Sequence, residues 1–189
     1  MSEPLVEWDV VREEGALEQY LILLTQLSFD SCVTILGQYV SASGAPLTKE
    51  IHYPALRATI QKHGTLGVQM RLRATAKAAP RLVRLREIDL DAIVEVVEDG
   101  LVSTDDLLRA QLEPPFALGT TTPLWRAMVV NGRSVVFAIC HCVADGHSGP
   151  ALLSALLSAS TTPTQPVRKG ITAGSLLLQM PTSCLLSKP

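Results

Sequence analysis

Residues 135–140 read VVFAIC, six apolar side chains without a break, and what flanks them constrains the fold more than anything else in the chain. Upstream lie the triplet Asn131-Gly132-Arg133 and, before it, a second apolar run at residues 125–130 (WRAMVV). Asn-Gly tolerates the positive φ angles of a tight hairpin, so the two runs are expected to pair as antiparallel strands. A strand without polar alternation is buried on both faces, which requires structure packed on either side of it. Downstream comes the polar, glycine-containing loop HCVADGHSG. It leads into residues 150–159, where Leu152, Leu153, Leu156 and Leu157 give a helix one apolar face. Buried strand, loop and packed helix hold that loop at both ends.

The rest of the chain supplies further elements of both kinds. Residues 6–11, 32–41, 66–73 and 81–86 are short, β-branched or alternating, and read as strands. Residues 17–27 and 91–98 read as helices. Pro54 suits the first turn of another, with Leu56, Ile60 and His63 on one face and Gly64 just past its end. Thr104, followed by Asp105 and Asp106, is expected to cap a helix over residues 107–112. Helices and strands interspersed in this way, with at least one hairpin, indicate an α/β mixed (α+β) fold, a mixed sheet flanked by helices. From residue 161 the sequence changes character. TTPTQPVRKG reads as a linker, and the remainder to residue 189 as an irregular tail.

Composition excludes several classes of function. The 189 residues carry 16 basic and 18 acidic side chains, a formal charge of −2, which offers nothing to nucleic acid or to an anionic membrane. No stretch approaches the roughly 18 to 20 apolar residues that span a bilayer. The N-terminus, MSEPLVEWD, lacks the apolar core of a signal peptide. Four cysteines (Cys32, Cys140, Cys142, Cys184) are too sparse for a secreted disulfide scaffold, and Cys140 and Cys142 are spaced too tightly for a normal bridge. A cytoplasmic location is the expectation.

Chemistry is expected in the loop after the buried strand, residues 140–149 (CHCVADGHSG). An imidazole, with a reference pKa of about 6.5, accepts a proton at physiological pH. A carboxylate four residues later can organise the turn, and glycines let backbone approach a ligand. His-x-x-x-Asp-Gly is expected only about 0.01 times by chance in a chain with this many histidines. Asp145 is expected to cap the following helix rather than to move protons. A zinc site built from Cys140, His141, Cys142 and His147 fails on spacing, because adjacent residues on a strand point in opposite directions and no distant second pair follows. Arg71, Arg73, Lys77, Arg81, Arg84 and Arg86 read as a solvated strand edge rather than a phosphate site. Trp125 and Arg126 read as core and edge residues of the hairpin.

HxxxDG at the end of a core strand resembles the active-site motif of the chloramphenicol acetyltransferase-like superfamily. That superfamily includes condensation domains of nonribosomal peptide synthetases, plant-type acyltransferases and fungal alcohol acetyltransferase-like proteins. The resemblance to the last group runs in order through Glu18-Gln19-Tyr20, Ala55-Leu56-Arg57, His63-Gly64-Thr65-Leu66, Glu87-Ile88-Asp89-Leu90 and Pro123-Leu124-Trp125-Arg126. It ends on the strand, loop and helix described above, and spans roughly residues 5–160. It implies that residues 1–160 are the N-terminal lobe of such an enzyme, with the C-terminal lobe, and its DFGWG-like segment, missing.

The resemblance also implies roles. His141 would be the general base that takes the proton from an acceptor alcohol or amine as it attacks an acyl-CoA thioester. Asp145 would shape the loop, and Gly146 would leave room for the pantetheine arm. Cys140, Ser148 and Gly149 become candidates to lie near substrate, and no metal or bound cofactor is required. Many relatives carry histidine where this chain has Cys140, but the catalytic position is the next one. Two other readings stay open: a non-catalytic remnant or binding module, and a condensation-domain fragment that takes carrier-bound acyl groups. A lobe without its partner would expose apolar surface and self-associate.

Overall fold

The structure is a computed structural model that describes residues 9–29, 32–39, 44–72, 80–98 and 103–161. In chain order its elements are β1 (Asp9–Glu13), α1 (Ala16–Gln26), β2 (Cys32–Gln38), α2 (Lys49–Lys62), a 3-10 turn (Gly64–Gly67), β3 (Val68–Arg71), β4 (Arg81–Arg84), β5 (Val94–Val97), α3 (Thr104–Leu112), β6 (Trp125–Val130), β7 (Ser134–Cys140) and α4 (Ser148–Thr161). The linker and tail, the first residues of the strand expected at 6–11, and Arg73 and Lys77 lie outside the described residues.

The hairpin forms as expected. β6 and β7 pair antiparallel from Trp125↔Ile139 to Val130↔Ser134. Asn131 and Gly132 at the turn have φ of 51° and 59°. β7 also pairs antiparallel with β2 along its whole length, so it lies inside a four-stranded sheet of order β2-β7-β6-β5. A second sheet, β1-β4-β3, is antiparallel throughout. The expected mixed sheet is the larger of the two, and the smaller one is antiparallel.

The unbroken apolar run of β7 follows from what covers each face. Val135, Phe137 and Ile139 pack with Trp125, Ala127 and Val129 against Tyr53, Leu56 and Ile60 of α2 and Leu152 and Leu156 of α4. On the opposite face Val136 meets Leu107 of α3. Ala138 and Cys140 on that face meet Ile22 of α1 and Met70 and Leu82 of the small sheet. Val136, Phe137 and Ala138 are fully inaccessible to solvent. Burying a side chain the size of Phe137 stabilises the fold by about 1.5–3 kcal/mol.

Four local expectations are corrected. Residues 91–98 do not form a helix. A single turn, closed by Val94 N–H donating to the Leu90 carbonyl (2.9 Å), leads into strand β5. β5 runs parallel to β6 in register Val94↔Ala127 to Val97↔Val130, because β-branched residues at an open sheet edge gain ladder hydrogen bonds that a short isolated helix lacks. Pro54 is not in the first turn of its helix, since α2 begins at Lys49 after Thr48. The turn around the proline is tied to the rest of the fold by side chains. Tyr53 is buried and its hydroxyl donates to Asp91 Oδ1 at 2.7 Å, and Lys49 pairs with the same carboxylate. The cap of α3 is Ser103, whose hydroxyl accepts from Asp106 N–H at 3.1 Å, one residue earlier than Thr104. The strand at 66–73 is also shorter, since Leu66 and Gly67 belong to the 3-10 turn. Among the described residues no helix is long and apolar enough to cross a membrane.

Candidate active site

The loop between β7 and α4 begins as a tight turn. Val143 N–H donates to the Cys140 carbonyl at 3.1 Å, which turns His141 out of the strand. Its Nδ1 lies 2.9 Å from the carbonyl oxygen of Ala144. A carbonyl only accepts, so in the neutral imidazole Nδ1 carries the proton and Nε2 presents a lone pair. No hydrogen bond occupies Nε2 among the described residues. His141 lines a cleft of about 300 Å³ with Cys142, Asp145, Ser148, Thr65 and Arg12.

Asp145 works within the loop. Its Oδ1 accepts from the Ser148 hydroxyl (2.7 Å), Ser148 N–H (3.0 Å) and His147 N–H (3.1 Å), which closes the start of α4. Those hydrogen bonds, the one from the Ser148 hydroxyl foremost, hold its carboxyl below the usual carboxylate range. None of them runs to His141. Ser148 reciprocates, its hydroxyl accepting from Asp145 N–H at 3.1 Å.

The remaining sequence candidates divide. A Cβ on Gly146 would meet nothing within 4 Å, so no contact among the described residues explains the glycine. A Cβ on Gly149 would stand 3.0 to 3.2 Å from the Ile35 side chain. That glycine is buried and serves the close packing of α4 on β2. Cys140 is turned into the core, with its sulfur 3.6 Å from the Thr25 hydroxyl, and it is Cys142 that borders the cleft.

Cys140 and Cys142 are free thiols, and the turn at residues 140–143 brings their sulfurs to 3.1 Å. The hydrogen bond between them holds the Cys140 thiol below its ordinary range and raises that of Cys142.

A group of charges at the edge of the cleft has no counterpart in the sequence reading. Arg12 of β1 pairs with Glu14 at 3.1 Å and with Glu18 of α1. The guanidinium holds Glu18 down to about 2, whereas burial, with Glu18 nearby, pushes Glu14 up to about 8. Charges scattered over residues 12–18 carry no signal that one will be sealed inside. Thr65, quoted in the sequence only as part of a resemblance, lines the His141 cleft, and His63 lines a neighbouring space with Thr65, Val143, Ala144 and Ser148. Arg126 is not an edge residue. Its guanidinium is over the Phe116 ring at 4.4 Å and donates to the Pro114 carbonyl at 2.7 Å.

Comparison with known proteins places this arrangement. No protein-family profile matches the chain. An uncharacterized protein of Schizosaccharomyces pombe is 32% identical over 143 residues, which is 74% of this chain and 30% of that protein. The starter condensation domain of rhizomide synthetase RzmA superposes with a TM-score of 0.56 at 16% identity, over 80% of this chain and 39% of that one. The first condensation domain of the calcium-dependent antibiotic synthetase matches with the same TM-score of 0.56, at 16% identity over 80% of this chain and 39% of that one. The tallysomycin biosynthesis protein TlmII matches at 0.50 and 15% identity, over 78% of this chain and 37% of that one. The chain thus spans less than half the length of each of these relatives. Two sheets, four helices and the loop that carries His141 together give this chain the fold of part of a condensation-domain or chloramphenicol acetyltransferase-like protein.

Proposed function

We propose that the chain is the His141-bearing part of an acyltransferase that moves an acyl group from the thioester of acyl-CoA to the hydroxyl of a small alcohol. The supporting observation is the hydrogen bond between His141 Nδ1 and the Ala144 carbonyl, which leaves Nε2 as the basic nitrogen in an open cleft. Nε2 takes the proton as the acceptor O–H bond breaks, and the oxygen forms its bond to the thioester carbonyl. The C–S bond then breaks, and the departing thiolate recovers the proton from Nε2 as a free thiol. A positioned base contributes about 10²- to 10⁴-fold to such a step. Asp145 acts by fixing the loop, and Gly146 leaves the cleft open beside it. No metal or bound cofactor enters the scheme.

Release of free thiol from acetyl-CoA in the presence of short-chain alcohols tests the reading. Transfer that falls 10²-fold or more in His141→Ala, with unchanged circular dichroism, is the expected result. Equal rates in the two proteins would refute it. The fold shared with condensation domains favours a second reading, in which the thioester is presented on a carrier protein's phosphopantetheine arm. Turnover of a carrier-bound acyl group but not of acyl-CoA selects that reading. A chain that releases no thiol from either donor is a binding module. The apolar stripe of α1, with Leu17, Tyr20, Leu23 and Leu27 exposed, supports self-association, which light scattering reads directly.

A further inference from the structure

Arg126 of β6 carries a charge that no acid among the described residues neutralises. Its Nε–H donates to Gln111 Oε1 at 3.2 Å, and Nη2 donates to the carbonyls of Gln111 and Pro114. All three acceptors are uncharged, and none of the ion pairs among the described residues includes this guanidinium. The group is half-buried over the Phe116 ring. Taking an unpaired cation out of water is costly, so it calls for an anion.

Two donors remain open beside that charge. Nη1 of Arg126 makes no hydrogen bond among the described residues. Because Arg126 Nε–H only donates, the oxygen of the Gln111 amide faces it, and the amide nitrogen Nε2 is left without an acceptor. Gln111 is only 4% exposed, yet neither its Nε2 nor Arg126 Nη1 is sealed from water.

Both residues line one groove of about 440 Å³. It runs between the turn that leads into β5 and the loop that joins α3 to β6. Ile93, Val94, Phe116, Trp125 and Ala127 supply an apolar wall. Small-molecule sites of about 300–1,000 Å³ have this form, an apolar lining with a few convergent polar groups. Asp91 and Glu95 also border the groove, but they are exposed, where solvent screens their charge, and Asp91 is already paired with Lys49. The groove shares no lining residue with the His141 cleft.

We propose that this groove binds a small carboxylic acid with an aromatic or aliphatic body, its carboxylate accepting from Arg126 Nη1 and Gln111 Nε2 and its body lying on the apolar wall. Charge-assisted hydrogen bonds of this kind are roughly twice as strong as neutral ones. The site stands apart from acyl transfer and holds whether or not His141 performs it.

Three probes separate the parts of the site: 4-phenylbutyrate, its neutral counterpart 4-phenylbutyramide, and acetate, which lacks the body. Calorimetry on the full chain should show the acid binding at millimolar concentration or below, about tenfold tighter than either of the others. In ¹⁵N-arginine-labelled protein the acid should move the Arg126 Nε–H resonance at a concentration where the amide leaves it in place. Gln111→Glu keeps the acceptor that Arg126 Nε uses, removes the free donor and neutralises the cation. That variant should stay folded by circular dichroism and lose the preference for the acid. An acid that binds no tighter than its amide or than acetate, an Arg126 resonance that does not move, or a preference that survives in Gln111→Glu each overturns the proposal.

Discussion

The charge state of Glu14 offers the sharpest test of how the edge of the cleft is held together. Its side chain is wholly inaccessible, Oε2 lies 3.1 Å from Arg12, and Oε1 has no partner. One guanidinium cannot fully compensate two carboxylates, and the more exposed Glu18 keeps its charge while Glu14 keeps its proton. The folded-state pKa of Glu14, about 8, stands above the ordinary 4.5, so the folded protein holds this proton more tightly than the unfolded chain. The resulting stability is complete below pH 4.5 and is lost as pH rises through about 8.

The full displacement corresponds to about 5 kcal/mol at 1.36 kcal/mol per unit. Solvent screening through Arg12, whose side chain is 44% exposed, reduces the expected effect to about 2 kcal/mol. Glu14→Gln has the same shape and does not titrate. Urea denaturation of both proteins between pH 4.5 and 9 should show the variant gaining on the parent by about 2 kcal/mol as pH rises. A variant weaker than the parent by a nearly constant amount across this window would refute the reasoning. It would mean that Glu14 is an anion paired with Arg12, and removing one partner of a buried pair costs about 3–5 kcal/mol.

Three further outcomes follow from the same geometry. Asp145→Ala should lower the midpoint of thermal denaturation through loss of the α4 cap, whereas Asp145→Asn, which keeps an acceptor, should match the parent; equal losses would contradict a capping role. Gly132→Ala should destabilise by about 1–3 kcal/mol or more in urea, because a Cβ there meets Pro46 Cβ at 2.5 Å and φ is +59°. Dilute hydrogen peroxide should join Cys140 to Cys142, each thiol giving up one hydrogen as the peroxide becomes two waters. Mass spectrometry of the peptide should then show a loss of two hydrogens that dithiothreitol reverses, and an unchanged mass would mean that the sulfurs do not meet in solution.

The hairpin, the buried strand and the loop that carries His141 were legible because their information is local. Asn131-Gly132 specifies its own turn, and the apolar run of β7 states its own burial. The position of Asp145 before α4 was equally readable, since a cap needs only the residues beside it. Where partners lie far apart in the chain, legibility failed. β5 is a strand because β6 offers it an edge about thirty residues away. Asp91 meets Tyr53 and Lys49 of α2 across about forty residues of chain, a contact no local pattern announces.

The same division runs through the site. The sequence by itself determined the elements around the loop and which imidazole sits on it, through short-range backbone preferences and apolar patterning. Tertiary structure alone decided that His141 Nδ1 faces the Ala144 carbonyl, that Cys140 faces the core, that Glu14 is sealed beside Arg12, and that His63 borders a cavity beside the loop. Each of these depends on burial and on contacts that exist only once distant segments pack together, and a side chain's desolvation cannot be read from its neighbours in the chain.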